Sequence, residues 1–126
     1  MAGMASIVVV DDDKPILEMT RDVLRVDGHA VKTFHDPVAA LAYLAAPENA
    51  LPDLLLLDIM MPSLSGHEVV SRLMADDRTR SLPIVVFTAK AQLEGAFTGT
   101  SAVRGFLVKP FGLERLRETV AKILAR

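Results

Sequence analysis

The apolar residues of this chain follow two alternating patterns. Four short runs are apolar at most positions, which is typical of buried strands. They are residues 7–10, 53–57, 83–88 and 104–108. Residues 29–34 form a fifth, more polar run, which predicts a strand near the edge of a sheet. Stretches with helical spacing follow these runs, so strand and helix alternate five times along the chain. This order predicts an α/β fold with a five-stranded parallel sheet and helices on both faces.

Start and stop signals delimit the predicted helices. Gly28 ends the first helix near residue 26, and Asp36 followed by Pro37 opens the second. Residues 89–102 contain Gly95 and Gly99 and several hydroxyl side chains, all poor helix formers, so the fourth helix should be short or frayed. The helical spacing predicts the following inward-facing residues: Ile16, Thr20, Val23 and Leu24 in the first helix; Val38, Leu41, Ala42 and Ala45 in the second; Val69, Val70, Leu73 and Met74 in the third; Leu113, Leu116, Val120, Ile123 and Leu124 in the last.

Composition excludes several classes of protein. At 126 residues and 51% hydrophobic residues, the chain is expected to form one domain, residues 1–126, with a full core. It has no cysteine, so disulfide and thiol chemistry are absent. Its net charge is −2 and its basic residues form no stripe, which argues against direct nucleic-acid binding. Without a secretory signal or a membrane-length apolar run, we expect a soluble, cytoplasmic protein that does not bind membranes.

Polar residues mark the point where four of the predicted strands end. Asp11 and Asp12 follow the first strand, Asp58 the third and Lys109 the fifth, while Thr88 closes the fourth. The carboxyl ends of parallel strands lie at one edge of a sheet, so these side chains should meet there. Clustered carboxylates need a compensating cation, and an all-oxygen ligand set favours Mg²⁺.

The same residues could bind and accept a phosphoryl group. A metal ion, the ammonium of Lys109 and the hydroxyl of Thr88 could hold the three oxygens of a phosphoryl group. Asp58, which they would surround, could act as a nucleophile and form an acyl phosphate. Each residue alone has a commoner structural explanation, such as a helix cap or a solvated turn. Their occurrence together at strand ends favours the functional interpretation.

Four segments resemble the receiver domain of two-component response regulators. They are VVVDDDKPI, DIMMPSLSG, VVFTA and GFLVKPF, and the resemblance to the family extends over nearly the whole chain. The resemblance implies a flavodoxin-like (βα)5 fold with strand order 2-1-3-4-5. It also implies that Asp58 takes a phosphoryl group from the phosphohistidine of a sensor histidine kinase or a phosphotransfer protein. The expected protein is a stand-alone, chemotaxis-regulator-like phosphorelay module rather than an enzyme, although it would promote its own phosphotransfer and autodephosphorylation.

The resemblance also assigns the metal ligands. It implies that Asp12 and Asp58 bind Mg²⁺ directly, together with the backbone carbonyl of Met60. Asp11 would act mainly through water. Lys109 would pair with the phosphate, and the Lys109–Pro110 peptide bond is expected to be cis so that the lysine can turn back toward Asp58.

The resemblance also implies which residues change conformation on phosphorylation. Thr88 would move to bond the phosphate, and Phe106 would then swing inward. The surface formed by the fourth helix, fifth strand and last helix would signal to a downstream protein partner, with residues 90–102 as a mobile output element. Where many members of the family carry two acidic residues, this chain has Arg104 and Gly105, which puts a dimer across that surface in doubt and predicts either a monomer or a dimer through another face.

Two other functions can be weighed against the receiver interpretation. Phosphatases that form an aspartyl phosphate place a second acid two residues after the nucleophile, and Met60 at that position cannot protonate a leaving group. A flavodoxin-like cofactor binder would need a glycine- or hydroxyl-rich loop after the first strand. The sequence DDDKP found there would repel a phosphate unless a metal intervened.

Overall fold

The strands of this protein form a five-stranded parallel sheet, in a computed structural model that describes residues 5–62, 64–89 and 101–125. The strand order is β2-β1-β3-β4-β5, and all four neighbouring pairs are parallel, as predicted. The strands are β1 (Ser6–Val10), β2 (Ala30–Phe34), β3 (Leu54–Asp58), β4 (Ile84–Thr88) and β5 (Val103–Val108).

Side-chain caps begin three of the four helices found in the described residues. Asp13, Asp36 and Ser65 each accept a hydrogen bond from a backbone N–H in the first turn of the helix that follows. A proline also lies in the first turn of the first two helices, where its missing N–H costs nothing. The helices are α1 (Lys14–Val26), α2 (Pro37–Ala45), α3 (Gly66–Ala75) and α4 (Leu113–Leu124).

The helices cover both faces of the sheet, as the alternation of elements predicted. α2 and α3 pack on one face, against side chains such as Val8, Leu55 and Val86. α1 and α4 pack on the other face, against Ile7 and Phe87 among others. β3 and β4 lie inside the sheet and are buried along their whole length, which explains their continuous apolar sequences. β2, the more polar run, lies at an edge as predicted.

The prediction for the buried face of α2 was wrong for three of its four residues, while the fourth, Leu41, is half-buried and packs against the core. Pro37, Ala40 and Leu44 are the buried residues of this helix, whereas Val38 is 54% exposed and Ala42 and Ala45 also face outward. The reason lies in the sequence PVAALAYLA, which is apolar on every side and therefore offers no polar face to set the helix orientation. Packing against the sheet and α3 decides that orientation.

The other three helices follow their predicted faces more closely. In α1, Thr20 and Leu24 are buried as expected, while Leu17 is buried more deeply than Ile16. In α4, Leu113 is 44% exposed although it was predicted to face inward. The predicted inward residues that the structure confirms as buried are Val69, Val70 and Leu73 in α3 and Leu116, Val120 and Ile123 in α4.

Residues 90–100, between β4 and β5, lie outside the described part of the chain. The predictions of a short fourth helix and of a mobile output element at residues 90–102 fall mainly on this segment and stay predictions. Within the described residues, no helix combines the length and the apolar character needed to cross a membrane.

Candidate functional site

Strand register brings the predicted polar residues to one edge of the sheet. Asp58 is the last residue of β3, and Asp11 follows Val10, which pairs with Leu57 of β3. On the other side of β3, Asp58 pairs with Phe87, so Thr88 of β4 lies one position beyond it. The carboxyl ends of β1, β3 and β4 therefore lie side by side, as the parallel arrangement requires.

Lys109 joins the two buried carboxylates of this edge. Its Nζ lies 2.8 Å from Asp11 Oδ2 and 3.1 Å from Asp58 Oδ2. Its backbone N–H donates to the carbonyl of Thr88 at 2.7 Å, which extends the β4–β5 ladder by one bond past the strand end. The Lys109–Pro110 bond is cis, which confirms that prediction.

The loop after β3 orients the Asp58 carboxylate. Its Oδ1 accepts a hydrogen bond from the backbone N–H of Met60 at 2.9 Å, and its Oδ2 accepts one from Lys109. The loop itself is held by Gly66, whose N–H donates to the carbonyl of Ile59. A Cβ on Gly66 would lie 2.4 Å from Ile59 Cα, so only glycine lets the start of α3 approach the loop this closely.

Asp11 is fully buried, and its environment is electrostatically unfavourable for a carboxylate. Its Oδ1 accepts a hydrogen bond from the Asp13 N–H, but its Oδ2 lacks a hydrogen bond of normal geometry despite its short distance to Lys109. Burial raises the pKa of Asp11 to about 6, with Lys109 opposing this shift and Asp58 adding to it. The pKa of Lys109 is also raised: burial alone would lower it, but Asp11 and Asp58 outweigh that effect.

The donor set of this edge fits a hard divalent cation. Asp11, Asp12 and Asp58 each offer a carboxylate oxygen, and these three atoms lie within 4.8 Å of one another. Lys109 is the one cation that contacts them among the described residues, so one positive charge faces three negative ones. All-oxygen ligands and excess negative charge are what Mg²⁺ requires.

The two predicted switch residues lie on neighbouring strands. Thr88 is fully buried at the end of β4 and pairs with Val108 of β5. Phe106 pairs with Val86, and its half-buried ring packs against the core on the α2–α3 face.

The sequence therefore predicted every side chain of the acidic cluster, but not their individual environments. Asp11 is the acid in contact with Lys109, whereas Asp12 is exposed to solvent. The Met60 side chain is 46% exposed at the rim of the site. The close approach of Gly66 to Ile59 was missed, although a glycine eight residues after a strand-end aspartate was a visible signal.

Comparisons with known proteins give one consistent result. A family model described as the response regulator receiver domain matches residues 7–121. The response regulator MprA of Mycobacterium avium is 40% identical over 123 residues, which are 95% of this chain and 51% of MprA. The chain thus spans about half the length of the curated relatives it matches.

Solved structures agree with this match. The chemotaxis response regulator CheY4 of Vibrio cholerae is 30% identical, with a TM-score of 0.84 over 95% of this chain and 98% of CheY4. The response regulator TrrA of Thermotoga maritima, solved in complex with Mg²⁺ and BeF, is 29% identical, with a TM-score of 0.81 over 95% of this chain and 99% of TrrA. The chain belongs to the response regulator receiver domain family of two-component systems, whose members accept phosphoryl groups, bind Mg²⁺ at an acidic cluster and interact with histidine kinases and downstream effectors.

Proposed function

We propose that Asp58 accepts a phosphoryl group from the phosphohistidine of a sensor histidine kinase or a phosphotransfer protein. The observation that carries this proposal is the pairing of a buried Asp58 with Lys109 at 3.1 Å, beside two further carboxylates at the same edge. A nucleophile needs a fixed orientation as well as an electrostatic partner. Asp58 has both, because one of its oxygens accepts from Met60 and the other from Lys109.

The transfer is a displacement at phosphorus. A carboxylate oxygen of Asp58 forms a bond to phosphorus, the phosphorus–nitrogen bond to the donor imidazole breaks, and the imidazole takes up a proton from solvent. Lys109 then neutralises charge on a phosphoryl oxygen, and the Thr88 hydroxyl donates to another. The same site would promote hydrolysis of the acyl phosphate by water, which returns Asp58 to its carboxylate form.

The ligands that we assign to Mg²⁺ are Asp12 and Asp58, with the Met60 backbone carbonyl and with Asp11 acting mainly through water. When bound, Mg²⁺ would offset the clustered negative charge and position the phosphoryl oxygens. Support comes from the three converging carboxylates and from TrrA, which was solved with Mg²⁺ and BeF. Asp11 would keep Lys109 at the site through their ion pair at 2.8 Å.

We further propose how the phosphoryl state is passed on. Thr88 would move toward the phosphoryl group, and Phe106 would turn into the space beside it. The adjoining surface of β5 and α4 would then bind a downstream protein in the cytoplasm. A receiver acting alone or as one part of a longer regulator would use the same switch.

Labelling with a small phosphoryl donor tests the chemical step. Acetyl phosphate and Mg²⁺ should add one phosphoryl group to the protein, detected by intact mass and mapped to Asp58 after borohydride trapping. Asp58→Asn should remove the label, and Asp12→Asn should abolish Mg²⁺-dependent labelling. Asp77→Asn is the matched control, because Asp77 is 93% exposed and lies in the loop before β4, away from the carboxyl ends of the strands.

The outcomes separate the parts of this assignment. Label that persists in Asp58→Asn would show that another residue is the acceptor. Undiminished Mg²⁺-dependent labelling in Asp12→Asn would contradict the metal ligands but leave Asp58 in place. Loss of label in Asp77→Asn would indicate a general effect of charge rather than a site.

A further inference from the structure

A depression of about 310 Å³ lies between β5 and α4, separate from the acidic edge. We call it the Gly105 depression; Arg104, Gly105 and Phe106 border it on the strand, and Arg115, Glu118 and Lys122 on the helix. Within residues 5–62, 64–89 and 101–125, β5 pairs with β4 on one side only and is the last strand of the sheet.

Gly105 determines how closely the strand and helix approach. A Cβ at this position would lie 3.2 Å from Ile123 Cδ1 and 3.3 Å from Thr119 Cγ2, closer than ordinary van der Waals contact. Glycine therefore lets two α4 side chains pack directly against the β5 backbone. As a result, cationic residues of the strand and of the helix border the same small depression.

The charge of the Gly105 depression is opposite to that of the chain. Among its described lining residues, Arg104, Arg115 and Lys122 are cationic and Glu118 is the single acid, which leaves an excess of two positive charges in a chain of net charge −2. All four side chains are exposed. In the described part of the chain, none of the four forms an ion pair. Arg104 donates to the carbonyl of Ser101, which orients its guanidinium without neutralising it.

We propose that the Gly105 depression binds an acidic segment of a partner protein. Exposed cations that form no ion pair within the described residues attract a negatively charged segment. The proposal rests on the proposed function in one respect, because β5 and α4 belong to the surface through which the phosphoryl state would be passed to a downstream protein.

An acidic peptide fits this surface better than a nucleic acid. Arg115, Glu118 and Lys122 lie on one stripe of α4, so an acid separates the two helical cations. A continuous phosphate backbone along this stripe would pass the Glu118 carboxylate. A peptide can instead place separate acidic side chains beside each cation.

Peptide binding by the intact chain tests the proposal. The probe is a fluorescein-labelled peptide rich in Asp and Glu, compared by anisotropy with an Asn- and Gln-substituted peptide and with a single-stranded oligonucleotide of similar length. Arg115→Gln/Lys122→Gln should weaken binding of the acidic peptide by about tenfold. Arg72→Gln/Arg80→Gln, which removes the same charge from exposed positions elsewhere, should change it less than about twofold.

The expected affinity also falls steeply between about 50 and 300 mM salt, because the contacts are exposed charges. Equal losses in the two double variants, equal binding of the neutral peptide, or tighter binding of the oligonucleotide would overturn the proposal. Acetyl phosphate labelling of the same variants runs in parallel. Normal labelling without peptide binding refutes this inference alone, and peptide binding without labelling refutes the proposed function alone.

Discussion

Lys109 balances the charge of the acidic edge. Its ammonium contacts two carboxylates that are almost completely buried, and its own side chain is only 12% exposed. A buried charge that loses its partner is far more costly than an exposed one, because neither water nor a counter-ion replaces the lost contact. The residue is therefore important for stability as well as for the proposed chemistry.

Lys109→Gln should lower the free energy of unfolding of the ion-free protein by about 3 kcal/mol, since Asp11 and Asp58 lose their shared cation. Excess Mg²⁺ should restore part of this loss, because it supplies positive charge to the same carboxylates. Urea denaturation with EDTA and with Mg²⁺ measures both effects. The control is Lys122→Gln at an exposed position without an ion pair in the described part of the chain, expected within about 0.5 kcal/mol of wild type. Similar losses in both variants would contradict the role assigned to Lys109.

At the scale of elements, the loop from β3 to α3 is held by a close backbone contact in addition to the packing of its Ile59 and Met61 side chains in the core. Gly66 lies directly against Ile59, and the Met60 N–H between them donates to the Asp58 carboxylate. Any displacement of this loop therefore moves a group that orients the phosphoacceptor. Helix propensity alone would favour alanine over glycine at position 66.

Gly66→Ala should nevertheless destabilise the protein, by about 1–3 kcal/mol, because the new methyl group collides with the Ile59 backbone. It should also slow acetyl phosphate labelling, since the Met60 N–H shifts away from Asp58. Gly112→Ala is the control: a Cβ there meets nothing within 4 Å, so stability should fall by less than about 1 kcal/mol and labelling should be unchanged. Normal labelling in a folded Gly66→Ala protein would show that the loop tolerates displacement.

The orientation of α2 provides a second test at this scale. Leu44 is 1% exposed and packs in the core, so Leu44→Ala should cost about 3 kcal/mol. Val38 is 54% exposed, so Val38→Ala should cost no more than about 0.5 kcal/mol. The helical pattern read from the sequence predicts the opposite order. Thermal or urea denaturation of the two variants distinguishes the structure from that sequence-based orientation.

At the scale of the whole molecule, charge is divided between two surfaces. The strand ends carry the acidic cluster, and the Gly105 depression carries an excess of cations. A symmetric dimer places the same patch of each protomer against its counterpart. A dimer through β5 and α4 would therefore bring Arg104, Arg115 and Lys122 toward the same residues of the partner protomer.

The chain should accordingly stay monomeric, or associate through another surface, with and without Mg²⁺ and beryllofluoride. Light scattering coupled to size exclusion gives the mass in both states. If a dimer forms through another surface, Arg115→Glu should leave its stability unchanged, because Arg115 lies outside that interface. A beryllofluoride-induced dimer that Lys122→Glu strengthens would instead locate the interface on this surface and contradict the prediction.

The amino-acid sequence by itself determined the strands, the parallel sheet and the composition of the acidic edge. These features depend on local patterns: continuous apolar runs end in Asp11, Asp58 and Lys109, and parallel strands bring such ends together. Tertiary structure decided the remaining features. Packing chose the buried face of α2, because a helix that is apolar on all sides has no preferred orientation of its own. Strand register and loop approach decided that Asp11, and not the adjacent Asp12, contacts Lys109, because neighbouring residues of one sequence motif point in different directions once the backbone is fixed.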